Sequence, residues 1–181
     1  MFTAATALLM LFTTIASVDG FYFHLYKYRL WERPQSRREH LLHTVNSCLF
    51  PLSLAPLFLA TSTGAWLWFA LAMNLVTLAI ESLDVFEEHA SRADLGGLTS
   101  TEYWMHFMMS GLRWGFVVLT FASQPFEAWH AETAWIWRVP ASVADLVTAS
   151  GWGVTLLGLP VALLHVGLAM RPARSTVEVH G

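Results

Sequence analysis

The chain has 181 residues, 55% of them hydrophobic and 13% charged. An ordinary soluble domain carries about 25% charged residues, so composition alone marks a membrane protein. The net charge of −3 says little because the charges are segregated, but the lack of a basic tract with interleaved aromatics argues against nucleic acid as a partner, and the single cysteine, Cys48, excludes an intrachain disulfide or a cysteine-rich metal site.

The expected fold is an all-α integral membrane protein: one domain, a bundle of about five transmembrane helices. The spans fall near 2–26, 41–62, 64–86, 102–123 and 147–170, followed by a short tail, 171–181. Each is close to the roughly 20 residues a crossing requires. The first stretch lacks a basic segment ahead of it and stays helical through "GFYFHLYKYRL", so it reads as a span and not a signal peptide. Asp19 and His24 lie near its end. Five residues apart on an α-helix, they diverge by about 140°, so Asp19 is expected to orient a metal-bound histidine rather than to ligate beside His24.

Lys27, Arg29, Arg33, Arg37 and Arg38 flank the first connection. The second span opens with Glu39, His40, His43 and Asn46. Glu39, His43 and Asn46 share one face at spacings of four and three, and His40 turns partly away towards the interface. The third span closes on "ESLDVFEEHA", in which Asn74, Glu81 and Glu88 form a stripe at spacings of seven and Asp84 lies between. The fourth carries Glu102, His106 and Arg113 on one face. Segment 124–140, "QPFEAWHAETAWIWRVP", reads as an amphipathic stretch in the interface. The fifth span carries His165, and Arg171 and Arg174 follow it.

Charge sets the orientation. Eight of the ten basic residues fall on one side and only Arg138 on the other, with Arg113 inside a span. The N-terminus is then outside and the C-terminus cytoplasmic. Trp66, Trp68, Trp129, Trp135, Trp137 and Trp152 fall at the outer interface. The integral, multi-pass chain fits a bacterial inner (plasma) membrane, with the lipid bilayer as its first partner.

This topology places His24, His43, Asp84, His106 and His165 in a single layer, roughly 6–8 Å below the cytoplasmic surface. Ionisable groups at that depth are costly unless paired or coordinated. A weak internal echo accompanies the layer: Ser36-x-x-Glu39-x-x-x-His43 and Thr99-x-x-Glu102-x-x-x-His106. Both begin as capping boxes, so Glu39 and Glu102 divide between capping and ligation. Glu87, Glu88 and His89 read as a solvated helix end, although Glu88 remains a secondary ligand candidate.

The pattern points to a metal site with His24, His43, Glu81, Asp84, His106 and His165 as ligands. Glu39, Glu88 and Glu102 stand in reserve, Asp19, Asn46 and Asn74 form the surrounding shell, and Arg113 binds substrate or pairs with Glu81 or Asp19. Histidine with carboxylate and no thiolate suits iron, manganese or zinc. Soluble four-helix di-iron proteins combine Glu with Glu-x-x-His, an analogy of ligand inventory only. The expectation is a di-metal oxidoreductase, with iron favoured, activating dioxygen to oxidise an acyl lipid or quinol. Lacking a flavin or nicotinamide fingerprint, it needs a separate electron donor. A zinc-dependent lipid hydrolase is the alternative. A b-type cytochrome is a third, although the acids fit haem poorly. A non-enzymatic subunit of a homo-oligomer or larger membrane complex is the last.

Overall fold

The computed structural model describes residues 1–141 and 145–172. Residues 173–181 of the expected tail, Arg174 and His180 among them, lie outside the described residues. The chain is mostly helical. Helix α1 (Phe2–Ser17) continues without a break as a π-helix (Val18–Lys27). Helix α2 (Arg37–Leu54) ends in a second π segment (Ala55–Leu59). Then come β1 (Ala60–Thr63), α3 (Ala65–Ser91), α4 (Ser100–Ala122), α5 (Phe126–His130), β2 (Ala134–Trp137) and α6 (Leu146–Ala169). Four helical stretches are long and apolar enough to cross a membrane: Phe2–Lys27, Arg37–Leu59, Ala65–Ser91 and Leu146–Ala169. Helix α4 has comparable length, at 23 residues, but Glu102, His106, Ser110 and Arg113 lower its hydropathy.

Neighbouring helices run antiparallel. Helix α1 meets α4 through Phe12 against Phe116, with ring centroids 5.7 Å apart, and through Asp19 against His106. Helix α2 packs on α6, where Gly158 leaves room for Pro51: a Cβ there would lie 2.9 Å from the proline ring. Helices α3 and α4 are joined by a ladder of charged pairs. Glu81–Arg113 is followed seven residues along α3, and seven back along α4, by Glu88–His106, and Arg92–Glu102 closes the series. One face of each helix therefore meets one face of the other in a single register.

The apolar core, with Leu9, Phe12, Phe58 and Phe116 at its centre, occupies the half of the bundle towards the sheet. The expected all-α architecture needs one correction. Segment 124–140 folds into α5 and a strand, and β2 pairs antiparallel with β1, Ala60 opposite Trp137 and Thr63 opposite Ala134. The run of tryptophan, isoleucine and threonine suits a strand, and the ladder ties the segment to the bundle. Gly64 allows the turn from β1 into α3: its φ is +56°, and a Cβ would lie 2.7 Å from the Ala131 carbonyl oxygen. The tryptophans gather at this end, with Trp135 against Trp66 and Trp137 against Trp152 at 5.1 and 5.6 Å.

Candidate metal centre

The end of the bundle away from the sheet holds the polar groups. Helix α2 starts at Arg37, four residues earlier than expected, and α3 runs on to Ser91. Both extensions bring acidic residues into the bundle. Three imidazoles converge there through Nε2. His24 Nε2 lies 3.3 Å from Asp19 and 3.8 Å from Glu39. His43 Nε2 lies 3.1 Å from Asp84 and 3.8 Å from Glu39, and His106 Nε2 lies 3.4 Å from Asp19.

None of the three Nε2 atoms is aligned for a hydrogen bond, and Asp19 Oδ1, Glu39 Oε1 and Asp84 Oδ1 are likewise buried without one. Buried polar atoms rarely remain so. Ligand bonds of roughly 2.0–2.2 Å at ordinary coordination angles hold ligand atoms roughly 3.0–3.5 Å apart. The spacings to Asp19 and Asp84, 3.1–3.4 Å, are of that size, and the two to Glu39, at 3.8 Å, are wider. Two triads, Asp19–His24–His106 and His24–Glu39–His43, each bring ligand atoms within 4.8 Å of one another. Among the described residues these are the groups able to hold a metal ion.

Asp19 therefore stands among the converging atoms and not behind one of them, and the π-helix is the physical reason. Its i→i+5 bonding winds the chain more slowly than an α-helix, so residues five apart return to one face. Helix α3 provides the contrast. Asp84 and His89 have the same spacing as Asp19 and His24, but in regular α-helix Asp84 turns inward while His89 is exposed.

The surrounding groups hold this arrangement. Glu88 bonds His106 Nδ1 at 3.1 Å, leaving Nε2 facing the cluster. It is buried, contrary to the solvated helix end expected for it. Glu39 is not a helix cap: Ser36 makes no side-chain cap bond and instead donates to the Ser91 carbonyl at 3.3 Å. Glu102 does complete a capping box with Thr99, and it also accepts from Tyr28 at 2.7 Å and Arg92 at 3.3 Å. Those partners engage both of its oxygens away from the histidines.

The residue that sequence reasoning missed is Arg92. It is fully buried and donates to Glu39 at 2.7 Å as well as to Glu102. Burial works against its charge, but the two carboxylates outweigh that and hold its proton more firmly than in solution. It joins the two echoed motifs, since each contributes its glutamate to Arg92 and its histidine to the cluster.

Several expected ligands stand elsewhere. Glu81 bonds Arg113 at 3.1 Å, one of the two partners foreseen for that arginine. His165 stacks on His40 with centroids 5.4 Å apart, its Nδ1 buried and unpaired, and belongs to neither triad. His40, expected at the interface, is 2% exposed because α6 covers it. Asn74 donates to the Ala70 and Ser53 carbonyls, tying α3 to α2 away from the cluster. Asn46 lines the neighbouring cavity with its Oδ1 unpaired.

Compared with known proteins, the chain matches no family model, no curated protein and no solved structure. Function must be read from the site itself.

Proposed function

We propose that the chain is a five-span membrane protein, with its N-terminus outside and its polar end at the cytoplasmic face, and that the cluster holds two divalent metal ions, iron favoured. The observation that carries the reading is the convergence of three unbonded Nε2 atoms on two unbonded carboxylate oxygens, Asp19 Oδ1 and Glu39 Oε1. Charge supports two ions. Asp19, Glu39, Glu81, Asp84, Glu88 and Glu102 are six carboxylates against two guanidiniums, Arg92 and Arg113, an excess of four negative charges with the imidazoles neutral. Two divalent cations would balance it, as would one cation beside two imidazolium rings, and such an excess in a low-dielectric site is costly otherwise. The alternating directions of five long helices support α4 as a span, since it pairs antiparallel with both α1 and α3.

The reading is an oxidoreductase acting on a lipophilic substrate. The metals would supply dioxygen activation, and a separate donor would supply electrons. Asp19, Glu39, Asp84 and the three histidines would hold the ions. Glu88 would orient His106, and Arg92 would fix the second oxygen of Glu39. A mononuclear zinc hydrolase has one specific support: both triads use the same His24 Nε2, and one imidazole nitrogen serves one ion. Oxygen uptake by the iron-loaded protein, given a chemical reductant and a lipid extract, separates the two. Uptake dependent on iron and abolished by Asp19→Asn supports the oxidoreductase. No uptake, with zinc-dependent release of fatty acid from the same extract, supports the hydrolase.

A further inference from the structure

A cavity of about 990 Å3 opens beside the cluster. It is elongated: its wall on α6 runs from Ala149 to His165, about 24 Å along the helix axis. It reaches the bundle surface between α1 and α6, where Met10, Phe21, Leu157 and Leu164 both line it and stand exposed. Most of its wall is apolar, so a hydrocarbon chain fits it. What selects the head of that chain is Arg113.

Arg113 is 1% exposed, lines the cavity, and sits about 10 Å along α4 from His106. Its Nη1 bonds Glu81, whereas Nε and Nη2 have no partner. The Phe12 and Phe50 rings flank the guanidinium at 5.7 and 5.1 Å and shield it from any other acceptor on that side. Buried donors left in this state are costly and call for an acceptor. Glu81 already meets the charge, so what remains at Nε and Nη2 is hydrogen-bonding capacity without net charge. Glu81, in direct contact with the guanidinium, disfavours a further anion there.

We propose that the cavity is a binding site for a single-chain lipophile with a neutral oxygen head, an alcohol, carbonyl or ester. The oxygen accepts from Arg113 Nε and Nη2, and the chain passes between α1 and α6 towards the bilayer. As the substrate site of the metal centre it rests on the reading above; as a binding site it stands on the cavity and Arg113 alone.

Binding of hexadecanol, hexadecane and palmitate to the detergent-solubilised, metal-loaded protein tests this, read by native mass spectrometry with metal content measured on the same samples. Hexadecanol is expected to bind at least about tenfold more tightly than hexadecane, the discrimination of one satisfied charged donor, and palmitate no more tightly than hexadecanol. Glu81→Gln leaves the Arg113 charge unmet and should shift the preference to palmitate. The paired variant Glu81→Gln, Arg113→Met should erase the difference between hexadecanol and hexadecane. Equal binding of those two by the wild type, or a wild-type preference for palmitate, overturns the inference. If the paired variant does not fold, Glu81→Gln alone still decides it. Metal retained without lipid preference defeats this inference only, and lipid preference without metal defeats the metal reading only.

Discussion

Replacing Arg92 with methionine removes the one cation between the two echoed motifs while roughly keeping side-chain volume. Arg92 is fully buried and holds Glu39 at 2.7 Å and Glu102 at 3.3 Å. Glu102 would keep the Thr99 amide at 3.1 Å and the Thr99 and Tyr28 hydroxyls, both at 2.7 Å. Glu39 would lose its closest partner, and its Oε1 has no hydrogen bond to begin with. The cost is thus that of one orphaned buried carboxylate and not two, about 3–5 kcal/mol. Arg92→Lys keeps the charge but loses the second prong, at about 1–2 kcal/mol. Glu102→Gln preserves the capping box through one oxygen but turns its amide NH2 against Arg92 Nε, so it should cost about 1–3 kcal/mol. Equilibrium unfolding in mixed micelles by added SDS, followed by tryptophan fluorescence, measures all three. A cation on Glu39 would take over part of the lost charge, so the Arg92→Met penalty should widen after chelation. A penalty within about 0.5 kcal/mol of zero, or Arg92→Lys costing as much as Arg92→Met, would refute the buried-bridge reasoning.

The π-helix makes a positional prediction. Exchanging Tyr22→His with His24→Tyr moves the histidine from the buried face to a position that is 50% exposed in this winding; metal content should fall as for His24→Ala, and retention would show that the segment does not hold its π winding. Glu88→Gln should weaken metal affinity about 10–100-fold by loosening the His106 ring, with stoichiometry restored at saturating metal; an unchanged affinity in a metal titration would remove Glu88 from that role. His165→Phe should leave metal stoichiometry unchanged in elemental analysis, because the ring stacks on His40 outside both triads; loss of an ion would return His165 to the ligand set.

The legible part of the site was the part built on regular α-helix. The echo of Glu39-x-x-x-His43 in Glu102-x-x-x-His106 put both histidines one turn inside their helices, and both face the cluster. The depth of Arg113 called for an internal anion and left Glu81 and Asp19 as candidates, of which Glu81 makes the bond. Asp19 beside His24 was illegible because a 3.6-residue period separates them, and the sequence carries no strong mark of π winding. Asp84 and His89, at the same spacing, show that spacing alone does not decide it. Arg92 was illegible for a different reason. An arginine just past an acidic helix end resembles any loop cation, and its burial depends on two glutamates from other helices arriving there. The equal Ser-x-x-Glu and Thr-x-x-Glu patterns also conceal a difference: Thr99 caps its helix, while Ser36 turns to the Ser91 carbonyl and leaves Glu39 to Arg92 and the histidines. The strand in Ala134–Trp137 is not legible locally, because its only pairing among the described residues is with Ala60–Thr63, two long helices earlier in the chain.

The most direct measurement is elemental analysis of the protein purified in detergent and reconstituted with iron, zinc or manganese, beside a His43→Ala, His106→Ala variant. Two divalent ions per chain, lost in the variant while it remains folded by circular dichroism, is the expected result. A folded wild type that retains no metal after reconstitution would contradict the metal centre and leave the converging histidines and carboxylates as a proton-sharing polar network.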